Sequence, residues 1–479
     1  MAEDTQILHK IIAAQRDMIE TQQKQIARFE DIVAAQDDLI ARLTARVAEL
    51  ERQLNLDSSN SGKPPSSDGL KKKPRTTSLR GKGKNKSGGQ KGHKGQTLEQ
   101  VADPDHITEH KLEKCEQCDS PFSVDMVACL LGKRQVFDIP APRIEVTEHR
   151  IYVHSCGCCG HFSKARFPDR INAATQYGSR VQSIVVYLQN YQLLPEDRLS
   201  EAMNDLFSLK ITTGTVANIS HRAATTLAPT VQKIEKAVAA AKVKHLDETG
   251  FRVGGKLTWL HVAGTQFLTH YRAEEKRGAM PKNMTGIAVH DHWKPYFKME
   301  NTNHALCNAH HLRELKAVAG IDGELWAAAM ARLLRLMRRI TKKHHADKTQ
   351  PDKNTENRVM LLYDRVIKRG LRYHESLPRL KNKTGRRASR RRKGFNLVRR
   401  LHRFRQETLR FWHNHDVPFT NNLAEGDVRM MKVRQKISGG FRTMTGAQNF
   451  ATIRSFISSA RKQRLNILTA LQNPSLLVI

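Results

Sequence analysis

The sequence predicts a multidomain α+β protein, and three observations predict it. The chain has 479 residues, too many for one ordinary core. A seven-residue apolar repeat fills residues 5–56. After Val243 the apolar period changes from that of helices to that of short strands. The bulk composition bears on partners rather than fold. Lys and Arg outnumber Asp and Glu 81 to 47, a formal charge of +34, so a polyanion such as double-stranded DNA is the expected counterpart. No stretch approaches the roughly twenty apolar residues that span a bilayer. The first residues are polar and of mixed charge, unlike a signal peptide. A cytoplasmic chain is expected.

In the repeat, Ile12, Ile19, Ile26, Val33, Ile40, Val47 and Leu54 hold one heptad position. Leu8, Gln15, Gln22, Phe29, Gln36, Leu43 and Leu50 hold the companion position. Mostly β-branched residues at the first position favour a parallel two-stranded coiled coil, so a homo-oligomer joined through 5–56 is expected. The glutamines weaken the seam and can fix its register. Residues 57–100 are rich in Ser, Pro, Gly, Lys and Arg. They read as a disordered basic linker able to track a phosphate backbone.

Residues 101–170 carry Cys115-Glu-Gln-Cys118 and Cys156-Gly-Cys158-Cys159-Gly160. Two such knuckles supply the four thiolates of a structural Zn2+ site, and the second ends a strand-like run, as in a zinc ribbon. Cys115, Cys118, Cys156 and Cys159 are the expected ligands, with Cys158 or His161 as alternatives for the fourth. Cys129 and Cys307 stand alone and read as core residues. Residues 171–243 are helical in pattern. A short helix from Pro195, a turn at Leu209 to Ile211 and a second helix from Thr212 suit a helix-turn-helix-like DNA-binding region.

Short strands then follow at Lys244 to Thr249, Trp259 to Ala263 and Phe267 to Arg272, with a tight turn at Gly254-Gly255. Further strands at Thr285 to His290 and Ala305 to Cys307 lead into a helix at His310 to Val318. This succession matches a ribonuclease-H-like α/β catalytic core over 244–460, with a helical insertion at about 320–416 and a C-terminal tail at 461–479. Asp247 falls on the first strand and Asp291 just past the fourth. Phosphodiester chemistry uses divalent metals held by a few carboxylates, here Mg2+ or Mn2+. Asp247 would bridge two ions, and Asp291 and a third acid would each hold one. Glu425 is the expected third acid, with Glu314, Asp416 and Asp427 as alternatives. Glu248 should face the other side of its strand. Arg429 lies one helical turn from Glu425. Arg429, Lys432, Arg434, Lys436 and Arg442 form a strip suited to DNA phosphates. The run from Arg386 to Lys393 in the insertion suits the same partner.

Together these segments resemble the large transposase of the insertion sequence 66 family, a DDE group. The resemblance rests on NSGKPPSSD, GGQKGHKG, the paired cysteines and VVYLQNYQLLPEDRLSE. It continues through HLDETGF, VHDHWKPYF, ALCNAHHLREL and NNLAEGDVRMMKVRQKISGGFR, in that order along nearly the whole chain. It implies that Asp247, Asp291 and Glu425 take the DDE positions and that the four knuckle cysteines take the zinc positions. It also implies recognition of terminal inverted repeats, strand cleavage and transfer into target DNA, and small companion proteins of the same element. His310 and Arg313 fall in the family's segment after the fifth strand, with no role assigned. Two departures are visible: Lys91 stands where Pro is usual, and Gly426 where a basic residue is frequent. Two other readings compete, a zinc-containing DNA-binding regulator without catalysis and a nuclease of the same core without joining activity.

Overall fold

The structure, a computed structural model, describes residues 2–54, 56, 97–279, 281, 283–347, 349–377 and 391–479. The expected basic linker lies outside the described residues up to position 96, as do positions 386–390 of the basic run. The chain divides into two compact units. One comprises Met1–Thr76, Tyr177–Leu199 and Thr213–Ile479, and the other Thr77–Gln176 and Ser200–Thr212.

In the larger unit, α1 (Ala2–Leu54) is one helix of 53 residues. The heptad residues from Ile12 to Leu54 all stay exposed along it. Its last turn is tied down by Arg52, whose guanidinium meets Asp322 at 2.6 and 3.0 Å. The smaller unit holds a short antiparallel hairpin, β1 (Val153–Ser155) with β2 (Phe162–Lys164). After α2 (Ser179–Val186) come α3 (Glu196–Phe207) and α4 (Thr213–Ala240). α4 is much longer than a groove-reading helix needs, and it buries Val216, Ile219, Leu227 and Ile234.

The strands are β3 (Val243–Val253), β4 (Lys256–Gly264), β5 (Thr269–Glu274), β6 (Gly286–His290) and β7 (Thr302–Leu306). They form one sheet in the order β5-β4-β3-β6-β7. β3, β4 and β5 run antiparallel, joined first by Gly254 and Gly255, both at positive φ. β6 and β7 run parallel to β3. β6 is buried from Ile287 to His290, as a parallel strand covered on both faces must be. The third strand starts later than its apolar residues suggest. Thr265 Oγ1 accepts the amides of Phe267 and Leu268 and holds them in a turn.

The helices after the sheet are α5 (Asn308–Gly320), α6 (Leu325–Ala346), α7 (Lys353–Glu375), α8 (Lys393–Arg403) and α9 (Arg405–His413). α10 (Asn422–Ser438), α11 (Met444–Lys462) and α12 (Ile467–Gln472) complete the chain. α5 to α9 share a core with β6 and β7 built on Val289, Leu312, Met330, Tyr363 and Trp412. Phe251, Leu260 and Tyr271 of the antiparallel strands pack with Met431 of α10 and Phe450 of α11. Residues 461–479 are therefore not a tail. Asn466 caps α12 by accepting the Thr469 amide at 3.1 Å, and Ile467, Ala470 and Leu477 are buried.

Gly286 opens β6 at φ +72°, and a Cβ there would lie 2.8 Å from the carbonyl oxygens of Ala241 and Lys242. Gly286→Ala should therefore cost about 1–3 kcal/mol from backbone strain alone. Thermal unfolding should show a melting temperature lowered by several degrees; an unchanged value would refute the strain.

Candidate active site

The sheet fixes the first two acids by register. β3 and β6 are parallel neighbours, paired through His245↔Val289. Two residues further along each chain stand Asp247 and Asp291, on the same side as that pair. Asp247 Oδ1 accepts the Glu248 amide at 2.9 Å, and Asp291 Oδ1 accepts the Trp293 amide at 2.9 Å. Burial raises the Asp247 carboxyl well above its ordinary range, and the charges of Glu248, Asp291 and Glu425 add to the rise. Burial, with Glu248, pushes Asp291 up to about 6. Two acids held so close have an electrostatic demand for a cation between them.

Glu425 reaches this field from the first turn of α10. Asn421, just before that helix, does not cap it with its side chain. Its Nδ2 instead donates to the Leu246 carbonyl of β3 at 2.7 Å, and its Oδ1 meets His245 Nδ1 at 2.8 Å. The Asn421 amide donates to Cys307 Sγ at 3.1 Å, and the Glu425 amide donates to the Asn421 carbonyl at 3.1 Å. One buried amide side chain thus pins the start of α10 beside Asp247. Cys307, at the end of β7, touches Glu425 Oε1 at 3.8 Å. His310 Nδ1 and Arg313 lie 3.7 and 4.0 Å from that same oxygen.

The alternative acids have other partners. Asp427 is paired with Lys462 at 2.8 Å, and Asp416 with Lys242 at 2.5 Å. Glu314 is paired with Arg400 at 2.6 Å. Glu314 and Arg400 do line, with Asp291, Cys307, His310 and His311, a cavity of about 210 Å³ beside the carboxylates. Burial and the neighbouring arginines hold the His310 ring down to about 3, a neutral imidazole.

Strand alternation correctly sets Glu248 opposite Asp247, but the segment following Asp291 folds over that other face. Arg277 meets Glu248 Oε1 at 2.6 Å and the Tyr296 hydroxyl donates to Oε2, leaving the side chain only 3% exposed. Glu248 thus acts on the two aspartates through its charge, an effect that alternation alone does not reveal. In the basic strip, Arg429, Lys436 and Arg442 are exposed. Lys432 instead donates to the Gly250 carbonyl at 2.7 Å. Arg434 lies 3.6 Å over the Phe441 ring and its guanidinium is pushed down to about 10 by burial. Those two cations are occupied inside the fold.

In the smaller unit the two knuckles are built alike. The amides of Cys115 and Cys156 donate to the carbonyls of Ser120 and His161, at 3.0 and 2.9 Å. Asp119 and Gly160 donate back to Cys115 and Cys156, each from a positive φ. Asp119 tolerates that backbone without the glycine its partner knuckle has. Among the described residues, the four sulfurs are not gathered into a cluster of three or more ligand atoms.

A family model described as "Transposase IS66 family" matches residues 174–449, from before α2 to within α11. The chain belongs to the IS66 transposase family. The IS66 match contains Asp247, Asp291 and Glu425, every strand of the main sheet and the helices between them. A second model, a family of unknown function (DUF6444), matches residues 13–99. No curated protein matches the chain. Among the described residues of this IS66 member, no helix is long and apolar enough to cross a membrane.

Proposed function

We propose that this chain is a DDE transposase that binds the terminal inverted repeats of its element and cuts and joins DNA strands there. Asp247, Asp291 and Glu425 are its metal-holding carboxylates. One observation carries the reading. The β3–β6 register sets Asp247 level with Asp291, and Glu425 adds its charge to the same buried field. The strand order, an antiparallel ribbon continued by two parallel strands, supports a ribonuclease-H-like core. Bound Mg2+ or Mn2+ would supply the Lewis acidity that phosphodiester cleavage requires. The protein's own part is to hold three carboxylates in place and to neutralise the phosphates of the strand being cut. Arg429, one turn beyond Glu425, and exposed Lys436 and Arg442 suit that second task.

The exposed heptad face of α1 supports a homo-oligomer, the natural form for bringing two DNA ends together. The matched turns of the two knuckles support structural Zn2+ at Cys115, Cys118, Cys156 and Cys159, an ion that would draw the knuckles together. Companion proteins of the same element remain part of the reading through the family.

The test uses the purified full chain, Mg2+ and a DNA carrying the sequence that borders its own coding region, with a supercoiled plasmid as target. Cleavage at the border followed by joining of the new 3′ end to the plasmid is expected. Cleavage without joined product would make the chain a nuclease, and binding without cleavage a regulator.

A further inference from the structure

We propose that Cys307, His310 and Glu425 form a site for a soft divalent cation, Zn2+ above all, overlapping the catalytic carboxylate. Zn2+ held there takes Glu425 away from the Mg2+ chemistry and so inhibits it. The inhibition rests on the function proposed above; the binding does not.

The three ligand atoms all lie within 4.8 Å of one another. Glu425 Oε1 stands 3.8 Å from Cys307 Sγ and 3.7 Å from His310 Nδ1. Bonds of about 2.0–2.3 Å to a tetrahedral Zn2+ set such atoms roughly 3.3–3.5 Å apart. For Glu425 Oε1 with each of the other two atoms, a contraction of a few tenths of an ångström reaches that spacing. His310 Nδ1 is shielded from solvent and has no hydrogen-bond partner. A buried polar nitrogen left so is costly, and a cation relieves it. Without a cation, burial and the Glu425 charge push the Cys307 thiol up to about 12, so the ion itself must displace the thiol proton. The Asn421 amide, which donates to Sγ at 3.1 Å, would remain on the thiolate.

The donor set decides the ion. Mg2+ takes oxygen ligands, whereas a thiolate and an imidazole beside one carboxylate suit Zn2+ with a fourth position open. Cys307 and His310 both border the 210 Å³ cavity, which gives the ion an entry path and room for a water ligand. Arg313, 4.0 Å from the same carboxylate oxygen, is the cation that the metal displaces.

Cobalt(II) is the probe, because its thiolate charge-transfer and tetrahedral bands report the ligands that Zn2+ leaves silent. Full-length wild type, Cys307→Ser and His310→Ala are titrated with Co2+ and their bound metal is counted. The wild type should hold one more ion per chain than either variant and show the larger thiolate band. In Mg2+-dependent cleavage, Zn2+ should half-inhibit the wild type at a concentration at least tenfold lower than Cys307→Ser, each measured against its own uninhibited rate. Equal metal content and equal spectra in all three proteins overturn the site. An extra ion in the wild type with equal Zn2+ sensitivity in both proteins overturns the inhibition. If no protein cleaves in Mg2+, the proposed function fails instead, and the metal count still decides the site.

Discussion

Asp291→Asn is expected to abolish strand cleavage, by at least about 10³-fold, while making the metal-free protein more stable. Both effects have one cause. Burial and the Glu248 charge push the Asp291 carboxyl up to about 6 from an ordinary value of 3.8. A group raised in this way contributes stability that is fully present below about pH 4 and lost as pH rises through 6. Near pH 7.5 the ionised acid therefore costs up to about 3 kcal/mol, each tenfold change in proton affinity being worth about 1.4 kcal/mol. Asparagine removes the charge and keeps the shape. In a chelator at pH 7.5, Asp291→Asn should melt several degrees above the parent, and the gap should close toward pH 4. Added Mg2+ should stabilise the parent and leave the variant unmoved. A variant that melts lower than the parent at pH 7.5 would contradict the electrostatic account of the site.

Asn421→Ala should cost about 10²-fold in cleavage rate while leaving binding to the element end intact. The side chain makes no cap; it ties the start of α10 to Leu246 and His245, one and two residues before Asp247. Its loss leaves a buried carbonyl and a buried ring nitrogen without their partner, a penalty of about 1–3 kcal/mol. The larger effect is on geometry, since a carboxylate displaced by about 1 Å can lose 10² in rate. Glu425 should then need more Mg2+ for the same rate, so the Mg2+ dependence separates misplacement from general unfolding. A variant with reduced activity but unchanged Mg2+ dependence would mean that Asn421 serves stability alone.

Much of the sheet was legible because its signals are local. Val, Ile and Leu in short runs, the Gly254-Gly255 turn and the apolar run into Asp291 each determine structure within a few residues. The placement of Asp247 and Asp291 follows from those runs. What joins Glu425 to them was not legible, because the tie is between residues far apart in sequence. His245 and Asn421 are separated by 176 positions. Nothing in the spacing of Cys307, His310 and Arg313 says that they converge on the Glu425 carboxylate. Spacing also cannot tell which cations of a basic helix turn inward. Lys432 and Arg434 read like their neighbours in sequence, yet one bonds to Gly250 and the other stacks on Phe441. The C-terminal residues read as a tail in sequence because the segment is short, and its buried Ile467, Ala470 and Leu477 find their neighbours only in the folded chain.

The central claim is that three carboxylates from β3, the end of β6 and α10 act as one set. Mobility of a marked element in cells tests it most directly, comparing the wild type with Asp247→Ala, Asp291→Ala and Glu425→Ala, companion proteins supplied. The account predicts that the wild type moves the element and that all three variants bind its ends without moving it. Movement at the wild-type rate by any one of them would contradict it.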